Sequence, residues 1–302
     1  MVAEGLSMTA ELERELEREY MRQGHMACPG CGEATTIRLA LKVLGEKTIM
    51  IILPSCVGVI SGNYPVSAFS VPCFHSAFEI AAPTASGIAH ALKIQGREDV
   101  TVLTLAGDGG TFDIGLQSLS GAADRNDNFI YLCLDNEGYM NTGIQSSSAT
   151  PQNVWTMTTP GGRRGRKKKF MQIIAAHRIP YAATASMGHP LDLMEKIRKA
   201  KEIKGTKFIH TLTPCATGWR MAEDLTAKVA QLAVESKLFP LYEIIDGKEY
   251  RITHQPKGIP VADYVKVQGR YRHFTPDDIA RLQHEVDEDW EQLVRQTKGC
   301  GV

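Results

Sequence analysis

The sequence predicts an α/β fold: a mostly parallel, doubly wound sheet with helices on both faces and a C-terminal appendage. Three observations predict it. Short apolar segments alternate with longer segments of helical periodicity, which is the arrangement of βαβ units. Most of the apolar segments are apolar throughout, as expected for strands that helices cover on both sides. After about residue 236 the alternation stops, which indicates a separate C-terminal extension.

Composition narrows the class of protein. A chain of 302 residues forms one large or two ordinary domains, and its formal net charge is zero. Balanced charge predicts no nucleic acid and no anionic membrane as partner. No apolar run approaches the roughly 20 residues that cross a bilayer, and the N-terminus, rich in glutamate and arginine, does not resemble a signal peptide. We therefore expect a cytoplasmic protein.

The first half of the chain carries three predicted strands separated by helices. The strands are Thr48–Leu53, Thr101–Ala106 and Phe129–Leu134. The helices are Thr9–Arg22, Glu33–Leu44, Ala77–Ile94 and Ile114–Asp124. Gly45 and Gly96 follow two of these helices, at the position where glycine commonly ends a helix. A glycine-rich loop, residues 58–62, follows the first strand, and a short segment at residues 68–71 precedes the third helix.

The second half begins with a long loop and then returns to the alternation. Residues 139–160 lack periodicity and are rich in Ser, Thr and Asn, and long ordered loops of this kind are usually functional. The basic run at residues 163–169 is interpreted as a solvated loop, with an anion or partner site as the alternative. The later elements are a helix ending near His177, strands Tyr181–Ala185 and Lys207–Leu212, and a helix at Pro190–Lys204.

Three regions follow from this pattern. Residues 1–24 form an N-terminal charged helix, and residues 25–236 form the main domain. Residues 237–302 form an extension that we expect to pack on a partner subunit. The extension contains a hairpin at Tyr242–Ile252, whose Asp246-Gly247 pair favours a two-residue turn. Its last helix begins at Thr275, with Pro276 at the first helical position and Asp278 completing a cap.

Four of the seven cysteines are placed for metal or redox chemistry. Cys28 and Cys31 stand two residues apart before a helix, a spacing that suits chelation or a thiol–disulfide couple. Cys56 and Cys215 each follow an apolar strand, so in a parallel sheet they reach the same edge. Four thiolates at one edge hold either zinc or an iron–sulfur cluster, and the residues alone do not separate the two.

The remaining cysteines have simpler interpretations. Cys133 lies inside a predicted strand and belongs to the core, and Cys300 lies in the tail. Cys73 is the closest competitor for a ligand position. Without a secretion signal, a disulfide framework is not expected for any of them.

A Gly-Asp-Gly turn after the second strand predicts a phosphate site. Gly107 and Gly109 allow the backbone to approach a ligand, and Asp108 places a carboxylate at the start of the next helix. Asn136 ends the following strand and adds a second oxygen at the same edge. Divalent cations such as Mg²⁺ prefer oxygen ligands, so this pair of strand ends predicts a diphosphate with a metal ion.

These motifs together resemble the thiamine-diphosphate-binding beta subunit of the 2-oxoacid:ferredoxin oxidoreductases, most closely the pyruvate (pyruvate synthase) branch. The resemblance covers about residues 25–220. Its segments are Cys28-Pro-Gly-Cys-Gly-Glu33, Pro54-Ser-Cys56, His75-Ser-Ala-Phe-Glu79, Gly107-Asp-Gly109, Asp135-Asn-Glu-Gly-Tyr-Met-Asn-Thr-Gly143, Gln145-Ser-Ser147, Ala149-Thr-Pro151 and Thr213-Pro-Cys215. The resemblance implies the thiamine-diphosphate-binding fold and this oxidoreductase activity.

The resemblance also implies roles for single residues. Cys28, Cys31, Cys56 and Cys215 would bind one 4Fe–4S cluster close to the cofactor. Asp108, the Asn136 side chain and the Gly138 carbonyl would bind Mg²⁺ at the diphosphate. Asn141 would reach the substrate side of the thiazolium as the catalytic residue. The other implied contacts of thiamine diphosphate are Gly107, Gly109, Cys56 and His75.

The implied reaction involves several chains. In this family thiamine diphosphate stores the electrons that decarboxylation releases, and the cluster passes them to ferredoxin one at a time. The activating glutamate would come from alpha or gamma subunits, because Glu33, Glu79 and Glu137 do not match its position. A ferredoxin-like delta subunit or domain would carry further clusters, since this chain has no ferredoxin cysteine run.

Pyruvate is the favoured substrate, with the acyl group passing to coenzyme A. Oxalate, which needs no coenzyme A, and branched-chain 2-oxoacids are the enzymatic alternatives. The basic run at residues 163–169 is a hypothetical contact for coenzyme A or a carrier protein. The non-enzymatic alternative is a zinc-binding scaffold subunit with a vestigial phosphate turn.

Overall fold

The computed structural model describes residues 12–63 and 65–298. Its centre is one eight-stranded sheet with the strand order β2-β1-β3-β4-β6-β5-β7-β8. The strands are β1 Thr48–Ile52, β2 Cys73–His75, β3 Thr101–Gly107, β4 Phe129–Asp135, β5 Tyr181–Ser186, β6 Thr206–Leu212, β7 Tyr242–Ile245 and β8 Glu249–Ile252. Strands β1 to β6 are parallel to one another, which confirms the predicted mostly parallel sheet.

Helices cover both faces of the sheet, as predicted. They are α1 Gly32–Leu44, α2 Cys56–Ile60, α3 Ala81–Ile94, α4 Leu116–Asp124, α5 Phe170–Ala176, α6 Pro190–Glu202, α7 Ala216–Trp219, α8 Thr226–Glu235, α9 Val261–Val265 and α10 Pro276–Lys298. Helices α1 and α6 pack on one face and form a core with alternate strand residues such as Leu103 and Ile209. Helices α3, α4 and α5 pack on the other face, against residues such as Val102 and Phe208. The α/β fold class is therefore confirmed.

The strand order places a topological switch point beside β1. The chain runs from β1 to β2 on one side and then returns to β3 on the other side of β1. In open parallel sheets, ligands bind outside the carboxyl ends of the strands at such a point. Ser55 and Cys56 follow β1 there, and the Gly-Asp-Gly turn begins at the last residue of β3.

The C-terminal extension begins with two strands of the central sheet. β7 pairs antiparallel with β5, and β8 pairs antiparallel with β7. Asp246 and Gly247 both have positive φ angles, as the predicted tight turn requires, but three residues, not two, separate the paired Ile245 and Glu249. Helix α10 then packs on β8 and α9. Packing of this extension on a partner subunit stays a prediction.

Several local predictions were wrong. Among the described residues, the predicted N-terminal helix covers only residues 12–17, and Met21, which was predicted to lie in it, forms a bridge with Phe69 instead. Residues 9–11 of that predicted helix lie outside the described residues. Helix α3 begins at Ala81, four residues later than predicted, and strand β2 lies between it and the short segment at residues 68–71.

The segments that follow β1 and β3 also differ from prediction. The predicted glycine-rich loop after β1 contains the short helix α2. A π-helical turn, Gly109–Ile114, precedes α4. No helix in the described part of the chain combines the length and the apolar character that crossing a membrane requires.

Candidate active site

Three hydrogen bonds connect the carboxyl ends of three strands, β3, β4 and β6, with one another and with the start of α1. The main-chain N–H of Gly32, at the start of α1, donates to Pro214 O after β6, with an N···O distance of 3.3 Å. Thr213 N donates to Asp135 O at the end of β4 over 2.8 Å. Ser147 Oγ donates to Asp108 Oδ2 after β3. The predicted cysteine and phosphate motifs therefore share one edge of the sheet.

Asp108 is buried, and one of its oxygens has no partner. Its Oδ2 accepts a hydrogen bond from Ser147, but its Oδ1 has none among the described residues. Burial, and then the negative charge of Asp135, raise the pKa of the Asp108 carboxyl well above its usual range. A cation at Oδ1 would remove this unfavourable isolation of a carboxylate.

Asn136 is also buried with an oxygen that has no partner. Its Nδ2 donates to Glu33 Oε1 over 2.6 Å, and this bond assigns the amide so that Oδ1 points elsewhere. That Oδ1 is buried and has no hydrogen-bond partner in the described chain. The main-chain oxygen of Asn136 accepts a 2.7 Å hydrogen bond from Trp219 Nε1. Burial raises the pKa of Glu33 to about 7.

The two glycines of the turn are required for different reasons. A Cβ atom at Gly109 would lie 2.2 Å from Cε1 of Tyr139, so the packing of the chain itself demands glycine there. A Cβ atom at Gly107 would meet only the Ser55 Cβ, at 4.0 Å. Since the protein leaves open space over Gly107, glycine at this position leaves room for a ligand to approach.

The loop after Asn136 holds Gly138 and Asn141 near the same edge. The Gly138 carbonyl accepts a 3.0 Å hydrogen bond from Met140 N, which leaves a second lone pair for another donor or cation. Asn141 is exposed, and its Nδ2 donates to Ser55 O over 3.3 Å. Asn141 therefore sits above the end of β1. Tyr139 Oη donates to Asp113 Oδ2 over 2.7 Å and fixes the start of this loop.

The four cysteines lie within electrostatic reach of one another. Burial raises the pKa of the Cys56 thiol, and Glu33 and then Cys215, Cys31 and Cys28 raise it further. Burial raises the pKa of Cys31 to about 12, with smaller contributions from Glu33 and Cys215. Cys28 is exposed and the other three are partly buried.

Close backbone contacts hold the cysteine segments in place. A Cβ atom at Gly32 would lie 2.8 Å from Pro214 O, so only glycine lets the segments carrying Cys31 and Cys215 pack this closely. The Gly218 N–H donates to Cys215 Sγ over 3.3 Å. Cys133 is buried in β4, as predicted. Cys73 Sγ donates to Val71 O over 3.3 Å.

His75 occupies a more distant position at the same edge. It ends β2, which lies on the other side of β1 from β3. Its side chain is exposed, and Nε2 lies 3.4 Å from Ser61 Oγ. The structure therefore does not bring His75 into contact with the Gly-Asp-Gly turn, and a role in cofactor binding stays a prediction.

A buried ion-pair network beside the site was missed by sequence reasoning. Lys167 Nζ lies 2.7 Å from Asp135 Oδ2 and 2.8 Å from Glu137 Oε1. Glu137 also pairs with Arg270 over 2.7 Å, and Asp135 with His210 over 2.7 Å. Burial alone would raise the pKa of Asp135, but Lys167 and His210 hold it below its usual range. These charges flank Asn136 and fix the end of β4.

The basic run is therefore only partly solvated. Lys167 points inward to the network, and Arg163 Nη1 donates to Thr150 O over 2.6 Å within the 139–160 loop. Lys169 forms an exposed ion pair with Asp289 over 2.5 Å. Arg164 is exposed. The only sequence signal for an inward-facing lysine was the position of the run directly after a long functional loop.

Comparison with known proteins agrees with this geometry. The thiamine pyrophosphate enzyme family, C-terminal TPP binding domain, matches residues 56–211, slightly more than half of the chain. The chain is 49% identical to the pyruvate synthase subunit PorB of Methanothermobacter thermautotrophicus over 92% of this chain and 98% of that protein. This chain is a beta subunit of the 2-oxoacid:ferredoxin oxidoreductase family.

Other relatives of the beta subunit differ in substrate. This chain is 46% identical to the ketoisovalerate oxidoreductase subunit VorB of Pyrococcus furiosus, over 91% of this chain and 92% of that protein. A solved 2-oxoglutarate:ferredoxin oxidoreductase from Magnetococcus marinus shares the fold, with a TM-score of 0.58 at 22% identity over 70% of this chain and 79% of that chain. The beta subunit thus carries a thiamine-diphosphate-binding domain and works with other subunits.

Proposed function

We propose that the beta subunit, together with alpha and gamma subunits, oxidatively decarboxylates pyruvate, passes electrons to ferredoxin and delivers the acyl group to coenzyme A. One observation carries this proposal: two buried, unpartnered oxygens, Asp108 Oδ1 and Asn136 Oδ1, lie at the sheet edge that also carries four cysteines. Buried polar atoms without partners are rare in folded proteins, so they point to a ligand.

The oxygen set fits Mg²⁺ bound to a diphosphate. Mg²⁺ takes oxygen ligands and usually binds through one or two carboxylates together with substrate phosphates. Asp108 Oδ1 and Asn136 Oδ1 would hold the metal, and the Gly138 carbonyl retains a lone pair for it. The open space over Gly107 would admit the diphosphate, and the main-chain N–H groups at the start of the Gly109–Ile114 turn would face it.

The sulfur set fits a 4Fe–4S cluster better than zinc. With Zn–S bonds of about 2.3 Å, a tetrahedral zinc site would bring its sulfurs to roughly 3.8 Å from one another. Among the described cysteines, no three sulfurs lie within 4.8 Å of one another. A cubane cluster spaces its ligands more widely, because each thiolate binds a different iron. Cys28, Cys31, Cys56 and Cys215 would therefore hold the cluster.

The residues of this chain position the reaction. Thiamine diphosphate supplies an electron sink for the carbanion equivalent that decarboxylation leaves. Asn141 would act as the catalytic residue of this chain, since its amide lies over the end of β1 on the open side of the turn. Cys56 follows Ser55 at the same point, so a cluster bound by Cys56 would lie beside the cofactor and could accept electrons from it.

The activating glutamate would come from a partner subunit. The two buried glutamates nearest the site are already engaged within this chain: Glu33 accepts from Asn136, and Glu137 pairs with Lys167 and Arg270. Glu79 is exposed. A ferredoxin-like delta subunit or domain would take the electrons onward to ferredoxin.

Removal of single ligands tests the two sites separately. We expect Asp108→Ala to abolish retention of thiamine diphosphate by the anaerobically purified complex while iron stays at about four per beta chain from this site. Cys56→Ala should lose that iron. Asp99→Asn, on the exposed surface, is the control that should change neither. If both site variants kept both cofactors, the placement of the site would be wrong.

Substrate choice is tested with the intact complex. Pyruvate is proposed because PorB relatives are named for pyruvate synthesis, and ketoisovalerate is the second candidate because VorB proteins are similar at 46% identity. Anaerobic turnover should be measured with pyruvate, 2-oxoisovalerate and oxalate, with and without coenzyme A. We expect pyruvate with coenzyme A to give the highest kcat/KM. A preference for oxalate without coenzyme A would overturn this assignment.

A zinc scaffold is the outcome that would overturn the enzymatic proposal altogether. It predicts a colourless complex that contains zinc and no thiamine diphosphate. The oxidoreductase predicts a brown complex with iron and thiamine diphosphate, so metal and thiamine analysis separates the two.

The basic run offers a separate contact for coenzyme A or a carrier protein. Arg163 is held inside the loop by Thr150, so its reversal would disturb the fold. Arg164→Glu leaves that bond intact, because Arg164 is exposed. The contact predicts a higher KM for coenzyme A or ferredoxin in this variant. Unchanged KM values for coenzyme A and ferredoxin would rule out this contact.

A further inference from the structure

Three potential metal ligands from separate elements meet away from the motifs described above. His189 directly precedes α6, Glu235 ends α8, and His254 follows β8. Among the described residues, this is the group whose histidine, cysteine or carboxylate atoms approach closely enough to share one ion. None of the three belongs to the phosphate turn, the cysteine group or the buried ion-pair network.

The spacing of the three ligand atoms suits a transition metal. Glu235 Oε1 lies 3.1 Å from His254 Nε2 and 3.6 Å from His189 Nε2. The three ligand atoms all lie within 4.8 Å of one another. With metal–ligand bonds of about 2.0–2.1 Å, tetrahedral coordination places neighbouring ligand atoms roughly 3.3 Å apart. The observed distances bracket that value, so only small side-chain movements are needed.

The surroundings of the group are those of a supported site. The exposed fractions of the His189, Glu235 and His254 side chains are 16%, 13% and 32%, so the group is shielded yet open to one side. Glu235 Oε2 accepts a 2.8 Å hydrogen bond from the Lys257 N–H, which fixes the carboxylate as outer hydrogen bonds do in metal sites. His189 Nδ1, by contrast, is buried and has no hydrogen-bond partner in the described chain, so His189 lacks the outer hydrogen bond that Glu235 has.

Neighbouring charges do not oppose a cation. Glu235 and Asp192 are the carboxylates nearest to His189, and both favour positive charge there. Lys257 is the basic residue that faces Glu235 besides His254.

We propose that His189, Glu235 and His254 bind one divalent transition metal ion, with Zn²⁺ the best match. Two imidazoles and a carboxylate are a common protein ligand set for zinc, with a water at the fourth position. The ion would fasten the segment after β8 to the ends of α6 and α8. Two main-chain hydrogen bonds already connect the segment after β8 to the end of α8. Gly258 N and Ile259 N both donate to Glu235 O.

This site goes beyond the proposed oxidoreductase function and is tested independently of it. The intact complex, purified anaerobically, is treated with a chelator and then titrated with Zn²⁺. Bound zinc is counted by mass spectrometry, and its ligands are identified by X-ray absorption. Nitrogen and oxygen ligands at about 2.0–2.1 Å distinguish this site from zinc bound to cysteine sulfur at about 2.3 Å.

The matched variants are His254→Gln and His284→Gln. His284 pairs with Glu288 on α10 at 3.3 Å but has no third potential ligand in the described part of the chain, so its variant controls for loss of any histidine near a carboxylate. We expect wild type and His284→Gln to bind one more zinc per beta chain than His254→Gln. At 100 times Kd, zinc should raise their unfolding midpoint by about 5 °C, and leave that of His254→Gln unchanged.

Two results would overturn the proposal. Equal zinc uptake by wild type and His254→Gln would show that the three side chains form a hydrogen-bonded group only. Zinc with sulfur ligands alone would show that the ion occupies the cysteines instead. Neither the zinc count nor the X-ray absorption measurement requires an active complex. Failure of the zinc proposal is therefore distinct from failure of the proposed oxidoreductase function.

Discussion

At the scale of single residues, the candidate site is marked by two buried oxygens that have no partner among the residues the structure describes. Leaving a buried polar atom unpaired costs about 1–3 kcal/mol, and charged groups cost more. Asp108 Oδ1 and Asn136 Oδ1 are two such atoms at one sheet edge. Ser147 binds the other oxygen of Asp108, and Glu33 binds the amide nitrogen of Asn136. These two hydrogen bonds fix the orientation of both side chains and leave the two Oδ1 atoms unbonded. A bound cation would offset the cost of both at once.

Gly107 and Gly109 give a residue-scale prediction that separates folding from binding. We expect Gly109→Ala to destabilise the beta chain by about 1–3 kcal/mol, because its Cβ would clash with Tyr139 at 2.2 Å. Gly107→Ala should leave stability within about 0.5 kcal/mol, yet weaken thiamine diphosphate binding at least tenfold, since the methyl group would occupy the open space. Urea unfolding and cofactor titration measure the two effects. Normal cofactor affinity in Gly107→Ala would contradict a ligand over this turn.

Lys207 gives a prediction about pH. It is 3% exposed at the start of β6, and burial lowers its pKa to about 7. The unfolded chain keeps this proton up to about pH 10.5, so between pH 7 and 10.5 the unfolded state binds more protons and stability rises with pH. Lys207→Met should therefore be more stable than wild type at pH 7, by up to about 4 kcal/mol.

The difference in stability between Lys207→Met and wild type should shrink as the pH rises towards 10. Loss of the lysine leaves no orphan acceptor, because Asn128 Oδ1 also accepts from Gly205 N over 3.2 Å. Thermal unfolding of both proteins from pH 6.5 to 10 checks the trend. A constant difference across this range would show that Lys207 is charged in the folded state.

At the scale of elements, the loop after β4 is held by ion pairs to two other segments of the chain, the basic run and the segment before α10. The basic run supplies Lys167 to Asp135 and Glu137, and the segment before α10 supplies Arg270 to Glu137. Asp135 and Glu137 flank Asn136 in the chain. Their ion pairs therefore set the direction of the strand end that carries the second unpartnered oxygen.

Lys167 and Lys169 form a matched pair for testing this role. Lys167→Met should destabilise the beta chain by about 3 kcal/mol, because it leaves two buried carboxylates short of a partner. Lys169→Met should change stability by less than about 1 kcal/mol, since its pair with Asp289 is more than half exposed. Chemical unfolding of the two variants checks this. Equal effects would mean that the network does not support the site.

At the scale of the whole molecule, the C-terminal extension is part of the sheet. β7 covers the edge of β5, and Ile244 packs in the same core as Ala182. Without β7 and β8, the edge of β5 would be exposed, and unpaired edges promote aggregation. The extension therefore contributes to the stability of the main domain whether or not it also contacts a partner.

Two truncations test this relation. A chain ending at residue 236 lacks β7 and β8, and we expect it to aggregate. A chain ending at residue 274 lacks only α10 and the tail, and we expect it to stay soluble with cooperative unfolding at a lower temperature. Light scattering and near-UV circular dichroism distinguish these outcomes. A soluble, cooperative chain ending at residue 236 would show that the main domain folds without β7 and β8.

Local patterns in the sequence predict the sheet class and the strand ends at which the candidate site lies. Apolar periodicity is local, so β1, β3, β4 and β6 were predictable from neighbouring residues. Because parallel strands align their carboxyl ends, the motifs following them were also predictable as one group. Strand order alone therefore predicts that Cys56, Cys215, Asp108 and Asn136 lie at the same edge of the sheet.

Which side chains pair with each other depends on how distant elements pack together, and local sequence does not predict it. Glu33 and Asn136 are 103 positions apart, and no local pattern encodes their hydrogen bond. The inward turn of Lys167, against the expectation of a solvated run, depends on carboxylates at the end of another element. The meeting of His189 with His254 likewise depends on how β8 and α6 pack. Side-chain partnership is a long-range property, because it follows from packing and desolvation and not from the order of residues.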